Sequence, residues 1–136
     1  MPTAAQIAEF LAREFPQTKC TVDAVGNGAA TVRHPVSASE LRPGGTVSGP
    51  VLMEVADVAL YVAIMGEIGI VPLTVTTNLS INFMRKPSST APIIGECKLM
   101  KIGSSLAVGE VFLYSEGQGE PVAHAVGTYS IPPASA

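Results

Sequence analysis

From Pro50 to Met65 the chain is apolar on almost every side of a helix. Val51, Leu52, Val55, Ala56, Val58, Ala59, Leu60, Val62 and Ala63 surround the axis rather than forming one stripe. A helix with that pattern needs cover from all directions. Proline at its start suits a first turn, where a missing N–H costs nothing, and Ser48 or Gly49 can cap it. The helix is predicted over about 50–65, ending at Gly66 or Gly69.

The cover comes from strands. Thr74 to Met84 alternates with a period of two: Val75, Thr77, Leu79, Ile81 and Phe83 on one face, Thr74, Thr76, Asn78, Ser80 and Asn82 on the other. Such alternation predicts a strand with one buried side. Ile93–Lys101, Leu106–Tyr114 and Val122–Ser130 follow, separated by Gly103-Ser104 and Glu116-Gly117-Gln118-Gly119. Gly95, Gly109 and Gly127 fall within strands, where the lack of a side chain lets a helix approach the sheet closely. Ahead of the central helix, Thr3–Phe15 reads as an amphipathic helix with a Thr3/Gln6 capping box. Thr21–Val25 and Ala29–Arg33 flank Gly26-Asn27-Gly28 as a hairpin. Residues 35–48 form a long loop, a length that points to function or an interface. The order α-β-β-α-β-β-β-β predicts an α+β fold, with about six antiparallel strands curled around one buried helix. The expected organisation is one domain over residues 1–136, with an N-terminal helix at about 3–15 and a tail at 132–136.

Composition narrows the function classes. With 47% hydrophobic and 14% charged residues, some apolar surface is expected to end in a subunit contact. A net charge of −3 without a basic cluster argues against nucleic acid. Glu54, Asp57 and Glu67 interrupt the apolar run from Val51 to Leu73, which argues for a core helix over a membrane span. Cys20 and Cys97 stand far apart without a CxxC motif, and the start carries Glu9 and Glu14 rather than a basic segment. Reduced thiols in a cytoplasmic protein are the expectation. No metal-ligand spacing is present: His34 precedes Pro35 and reads as loop surface, and His124 reads as structural. No cofactor is implied.

Asp57 is the residue that demands a reason, because an acid two turns into an apolar helix needs either a partner or a task. Its bland explanation is a hydrogen bond to backbone or to Tyr61 one turn on; Glu54, three residues earlier, is the rival carboxylate.

The layout resembles the hotdog fold, and the segment Gly45-Thr46-Val47-Ser48-Gly49-Pro50 with Asp57 eight residues beyond Gly49 resembles the acyl-CoA thioesterases of the phenylacetate-degradation type. TVTTNLSINFMRKP and VAHAVGTY match the family's style as well, so the resemblance covers roughly residues 20 to 131. It implies hydrolysis of an acyl-CoA thioester, with Asp57 as general base or direct nucleophile and the Gly49 N–H donating to the oxyanion. It also implies that Thr76 carries a hydroxyl that orients water. Two positions depart from the pattern: Ser48 replaces the family's histidine and Pro50 its second glycine; in addition, Arg42 stands where the family often has an asparagine. Eight helical residues rise about 12 Å, so Gly49 and Asp57 of one chain cannot both reach one carbonyl. A homodimer, or a dimer of dimers, would complete the site. Arg85 and Lys86 end the long strand as two cations suited to CoA phosphates, the CoA being part of the substrate. Tyr61 and Met65 are expected on the pocket floor, and Glu54 at its rim or in an interface. The competing class is a non-catalytic acyl-CoA or lipid sensor, which the loss of the histidine favours; a hydratase on the same fold would need a histidine in the motif.

Overall fold

The computed structural model describes residues 1–133; the last three positions of the expected tail lie outside the described residues. Helix α1 (Ala4–Glu14) is followed by strands β1 (Thr21–Gly26) and β2 (Ala29–His34), a 3-10 turn at Ala38–Glu40, and the short strands β3 (Leu41–Arg42) and β4 (Thr46–Val47). Helix α2 (Gly49–Ile68) and strands β5 (Val75–Phe83), β6 (Ile93–Ile102), β7 (Leu106–Ser115) and β8 (Ala123–Ser130) complete the chain. Six strands form one antiparallel sheet in the order β1-β2-β6-β7-β8-β5. The loop over 35–48 is thus partly ordered, carrying the 3-10 turn and the β3–β4 hairpin.

The capping box at Thr3 forms as the sequence requires, and Ile7, Phe10 and Leu11 bury the inner stripe of α1. Asn27 and Gly28 both take positive φ, 54° and 72°, which gives the two-residue turn that suits the twist of β1 and β2. Helix α2 runs three residues past Met65 and ends at Gly69 (φ 96°), the second of the two expected stops, with Gly66 buried inside the helix. A methyl at Gly66 would lie 2.5 Å from Val25, so this glycine lets β1 approach the helix.

The sheet closes on α2 at its strand glycines. A Cβ at Gly95 would sit 2.8 Å from Val55, and one at Gly109 or Gly127 would sit 2.8 or 2.5 Å from Leu60. Eleven residues of α2 are buried, from Leu52 to Gly66. The stripe left uncovered runs through Pro50, Met53, Asp57 and Tyr61, spaced by three and four residues. Strand β5 departs from the expected alternation. Its register against β8 slips between Thr76 and Asn78, a bulge. Thr76 therefore joins Leu79, Ile81 and Phe83 on the inner face, while Val75 turns outward. The side expected to be buried is half-buried only at Leu79 and Ile81; β5 is a sheet edge, with Val75 and Phe83 more than half exposed.

Candidate active site

The helix entry leaves one backbone donor uncommitted. Ser48 is extended (φ −71°, ψ 152°), and its Oγ accepts from Val51 N–H at 3.4 Å. Leu52 N–H reaches Ser48 O at 3.3 Å, and Pro50 has no N–H. Among the described residues the Gly49 N–H has no acceptor, and it points from the positive end of a 20-residue helix. The loop is anchored behind it. Ser48 N–H donates to Glu40 O at 3.0 Å, while the buried Glu40 carboxylate accepts from Lys19 Nζ (2.7 Å), Ser37 N–H and Oγ (both 2.8 Å) and Ser39 Oγ (3.0 Å). The Lys19 ammonium above all, with Ser37 and Ser39, holds that carboxyl down at about 2. The Phe83 ring flanks Gly49, 3.4 Å from where a Cβ would stand.

Two turns along α2, Asp57 is half-buried rather than sunk in the core. Its Oδ1 accepts from Thr76 Oγ1 at 2.6 Å and from the Tyr129 hydroxyl at 2.5 Å; that hydroxyl also lies 2.7 Å from Asp57 O. Thr76 and Tyr129 are register partners across β5 and β8, so the bulge in β5 brings both hydroxyls to one carboxylate. Burial, and then the Asp57 charge, push the Tyr129 phenol well above its usual range, so it stays a donor. Its ring stacks on Tyr61 (centroids 6.1 Å apart, planes at 20°), and Tyr61 in turn meets Phe10 at 6.4 Å. These groups, with Glu14, Phe15, Val58, Pro72 and Val75, line an open cleft of about 310 Å³ between α1, α2 and β5. Thr74, 3% exposed, lines it too, and its hydroxyl has no partner among the described residues.

The sequence-predicted residues therefore divide. Asp57, Thr76 and Tyr61 meet at the cleft, whereas Gly49, Ser48 and Pro50 lie at the other end of the same helix stripe and do not line it. Arg42 is exposed on β3 beside the glycine turn. Arg85 is already committed, its Nε donating to Pro121 O (3.1 Å) and its guanidinium pairing with Glu120 (3.0 Å); Lys86 is exposed.

Several expectations are corrected. Tyr61 does not hold Asp57, because its hydroxyl donates to Pro72 O at 3.0 Å. Met65 is fully buried in the core and takes no part in the cleft floor. Glu54 does not line this cleft; it accepts from Thr18 Oγ1 at 2.8 Å and lies 3.5 Å from His34 Nε2. His34, expected on the surface, is 1% exposed at the end of β2, its Nδ1 donating to Pro35 O at 2.6 Å. His124 pairs with Glu110 at 2.9 Å. Cys20 and Cys97 are free buried thiols, and burial pushes both up to about 12. Among the described residues no helix is long and apolar enough to cross a membrane. Tyr129 is the site residue that sequence reasoning missed; its place on the inner face with Ala123, Ala125 and Gly127 was the available signal.

Comparison with known proteins bears on this arrangement. Residues 44–122, more than half of the chain, match the family model described as the thioesterase superfamily. A solved structure of a candidate thioesterase from a Silicibacter species is 44% identical, covering 96% of this chain and 92% of its own, with a TM-score of 0.89. Zebrafish thioesterase superfamily member 2 superposes with a TM-score of 0.85 at 20% identity, over 97% of this chain and 100% of that one. A mutant of the phenylacetic acid degradation protein PaaI from Thermus thermophilus gives 0.74 at 22% identity, over 91% and 99%. No curated protein sequence matches the chain. The helix wrapped by a six-stranded antiparallel sheet is the hotdog arrangement of these neighbours, and the chain belongs to the thioesterase superfamily.

Proposed function

We propose that this protein hydrolyses an acyl-CoA thioester to the free acid and CoA, acting as a homodimer of the phenylacetate-degradation type. The observation that carries this reading is the placement of Asp57: a carboxylate on the one uncovered stripe of a wrapped helix, gripped by two hydroxyls beside an open cleft. Membership of the thioesterase superfamily supports thioester hydrolysis in general. The acyl-CoA substrate follows from the resemblance to the PaaI-type motif.

Thioester hydrolysis needs a nucleophile at the carbonyl carbon and a donor for the oxygen as it gains charge. Asp57 either takes a proton from the attacking water or bonds to the carbon itself, giving a mixed anhydride that water then opens. In both routes the C–S bond breaks; the sulfur takes the proton that Asp57 drew from water in the first, and in the second leaves as thiolate, which solvent protonates. The Gly49 N–H, free and dipole-backed, meets the oxyanion. Because about 12 Å of helix separates the two groups, the N–H comes from a second copy. The open stripe of α2 and the unpaired edge of β5 provide the surface on which that copy would dock. Lys86 and Arg42 remain for CoA phosphates, whereas Arg85 would first have to leave Glu120.

The test is turnover of a panel of aliphatic and aromatic acyl-CoAs by the wild type and by Asp57→Asn. Loss of hydrolysis with the fold retained supports the proposal. Binding without turnover by both proteins contradicts it and favours an acyl-CoA sensor.

A further inference from the structure

Both hydroxyls that reach Asp57 donate to the same atom. Thr76 Oγ1 and the Tyr129 hydroxyl lie 2.6 and 2.5 Å from Oδ1, while Oδ2 has no hydrogen-bond partner among the described residues. The Tyr129 hydroxyl shares its one hydrogen between Oδ1 and Asp57 O, which lies 2.7 Å away, so it ties the side chain to its own backbone and restricts its rotamer. We propose that Tyr129 is a positioning residue of the hydrolytic site: with Thr76 it immobilises Oδ1, so that Oδ2 is the oxygen that reacts. This rests on the reading of Asp57 as the hydrolytic group.

The chemistry follows from the lone pairs. An oxygen that accepts two short hydrogen bonds has its charge drawn into them and its orientation fixed. The other oxygen keeps an unshared pair. In the water route Oδ2 takes the proton as the water oxygen bonds to the thioester carbon, and that proton passes to the departing sulfur. In the covalent route Oδ2 bonds to the carbon as the C–S bond breaks. Tyr129 suits the holding task because its ring is buried and stacked. The side chain is 3% exposed, the ring stacks on Tyr61, and the register with β5 places the hydroxyl next to Thr76.

The chain has two aspartates, Asp23 and Asp57, so protein labelled with ¹³C at the aspartate carboxyl carbon gives two resonances. Asp23, on β1, accepts a hydrogen bond from Arg33 Nε on β2 and serves as the internal control. The proteins compared are the wild type, Tyr129→Phe, and protein with 3-fluorotyrosine at position 129. The fluorinated form keeps ring and hydroxyl, and so reports even if the phenylalanine variant does not fold. The Asp57 resonance is expected to move one way when the hydroxyl is removed and the other way when fluorine strengthens it as a donor, with Asp23 unmoved. In Tyr129→Phe, kcat is expected to fall about tenfold or more with KM retained, as loss of positioning rather than of binding. An Asp57 resonance indifferent to both changes would overturn the proposal, as would a KM rise with kcat unchanged. The resonances need no turnover. If no acyl-CoA is hydrolysed by any form while they respond as described, the hydrolytic reading fails and the grip of Tyr129 on Asp57 stands.

Discussion

Glu54 and Asp57 sit one turn apart on the same helix, yet they live in different chemistry. Glu54 faces the α1–β1 connection and the end of β2, where Thr18, Cys20 and His34 all converge on its Oε2. Asp57 faces a cleft of about 310 Å³, with two hydroxyls on one oxygen and none on the other. Each carboxylate has enough polar company to lie in an apolar helix, as a half-buried charge requires. The partners of Glu54 come from two separate segments, the α1–β1 connection and the end of β2, and so join them; those of Asp57 leave an oxygen and an open space beside it. A half-buried acid is therefore read by the room left around it rather than by its burial.

The largest effect expected from this contrast is on activity. Asp57→Asn should lower kcat by about 10³-fold, because the amide is neither base nor nucleophile. Its oxygen still accepts from Thr76 and Tyr129, so the melting temperature should hold. Steady-state kinetics with thermal denaturation checks both. Next comes Gly49→Pro, which deletes the free N–H while keeping the helix start. Ser48 already has the extended ψ of 152° that a following proline demands, and proline is tolerated in the first helical turn. A fall in kcat of about 10²-fold is expected, with circular dichroism unchanged.

The structural side should answer in stability. Glu40→Ala removes the anchor of the loop before Gly49 and should cost about 2 kcal/mol in a urea titration. Its pH dependence has a fixed sign: the folded carboxyl, held down at about 2 against an ordinary value of 4.5, adds stability that is complete above about 4.5 and fades as pH falls towards 2. The smallest effect belongs to Glu54→Gln, expected to cost about 1 kcal/mol and to leave kcat within a few-fold of the wild type. If Glu54→Gln were the variant that lost activity, the roles of the two carboxylates would be exchanged.

Much of this was legible in the sequence for reasons that are local. The all-round apolarity of 50–65 forces a wrapped helix, and Gly95, Gly109 and Gly127 mark where the sheet presses on Leu60 and Val55. Asp57 stands out because a charge in that helix needs explaining. What escaped was set by register. Strict alternation through Thr74–Met84 put Thr76 on the outer face with Asn78; one extra residue in the ladder turns it inward. Tyr129 lies 72 residues from Asp57, and no local pattern states that two strands will align its hydroxyl with that of Thr76. His34 precedes a proline and reads as loop, but it is the last residue of β2 and points into the core.

In the proposed hydrolysis, Asp57 of one chain works with Gly49 of another. Mixing Gly49→Pro with Asp57→Asn, each inactive alone, under conditions that let subunits exchange tests it directly. Statistical pairing leaves about a quarter of the sites with both groups intact, so about a quarter of wild-type turnover should return. Mixtures that stay as inactive as the separate variants, although mass spectrometry shows the mixed dimer, would contradict it.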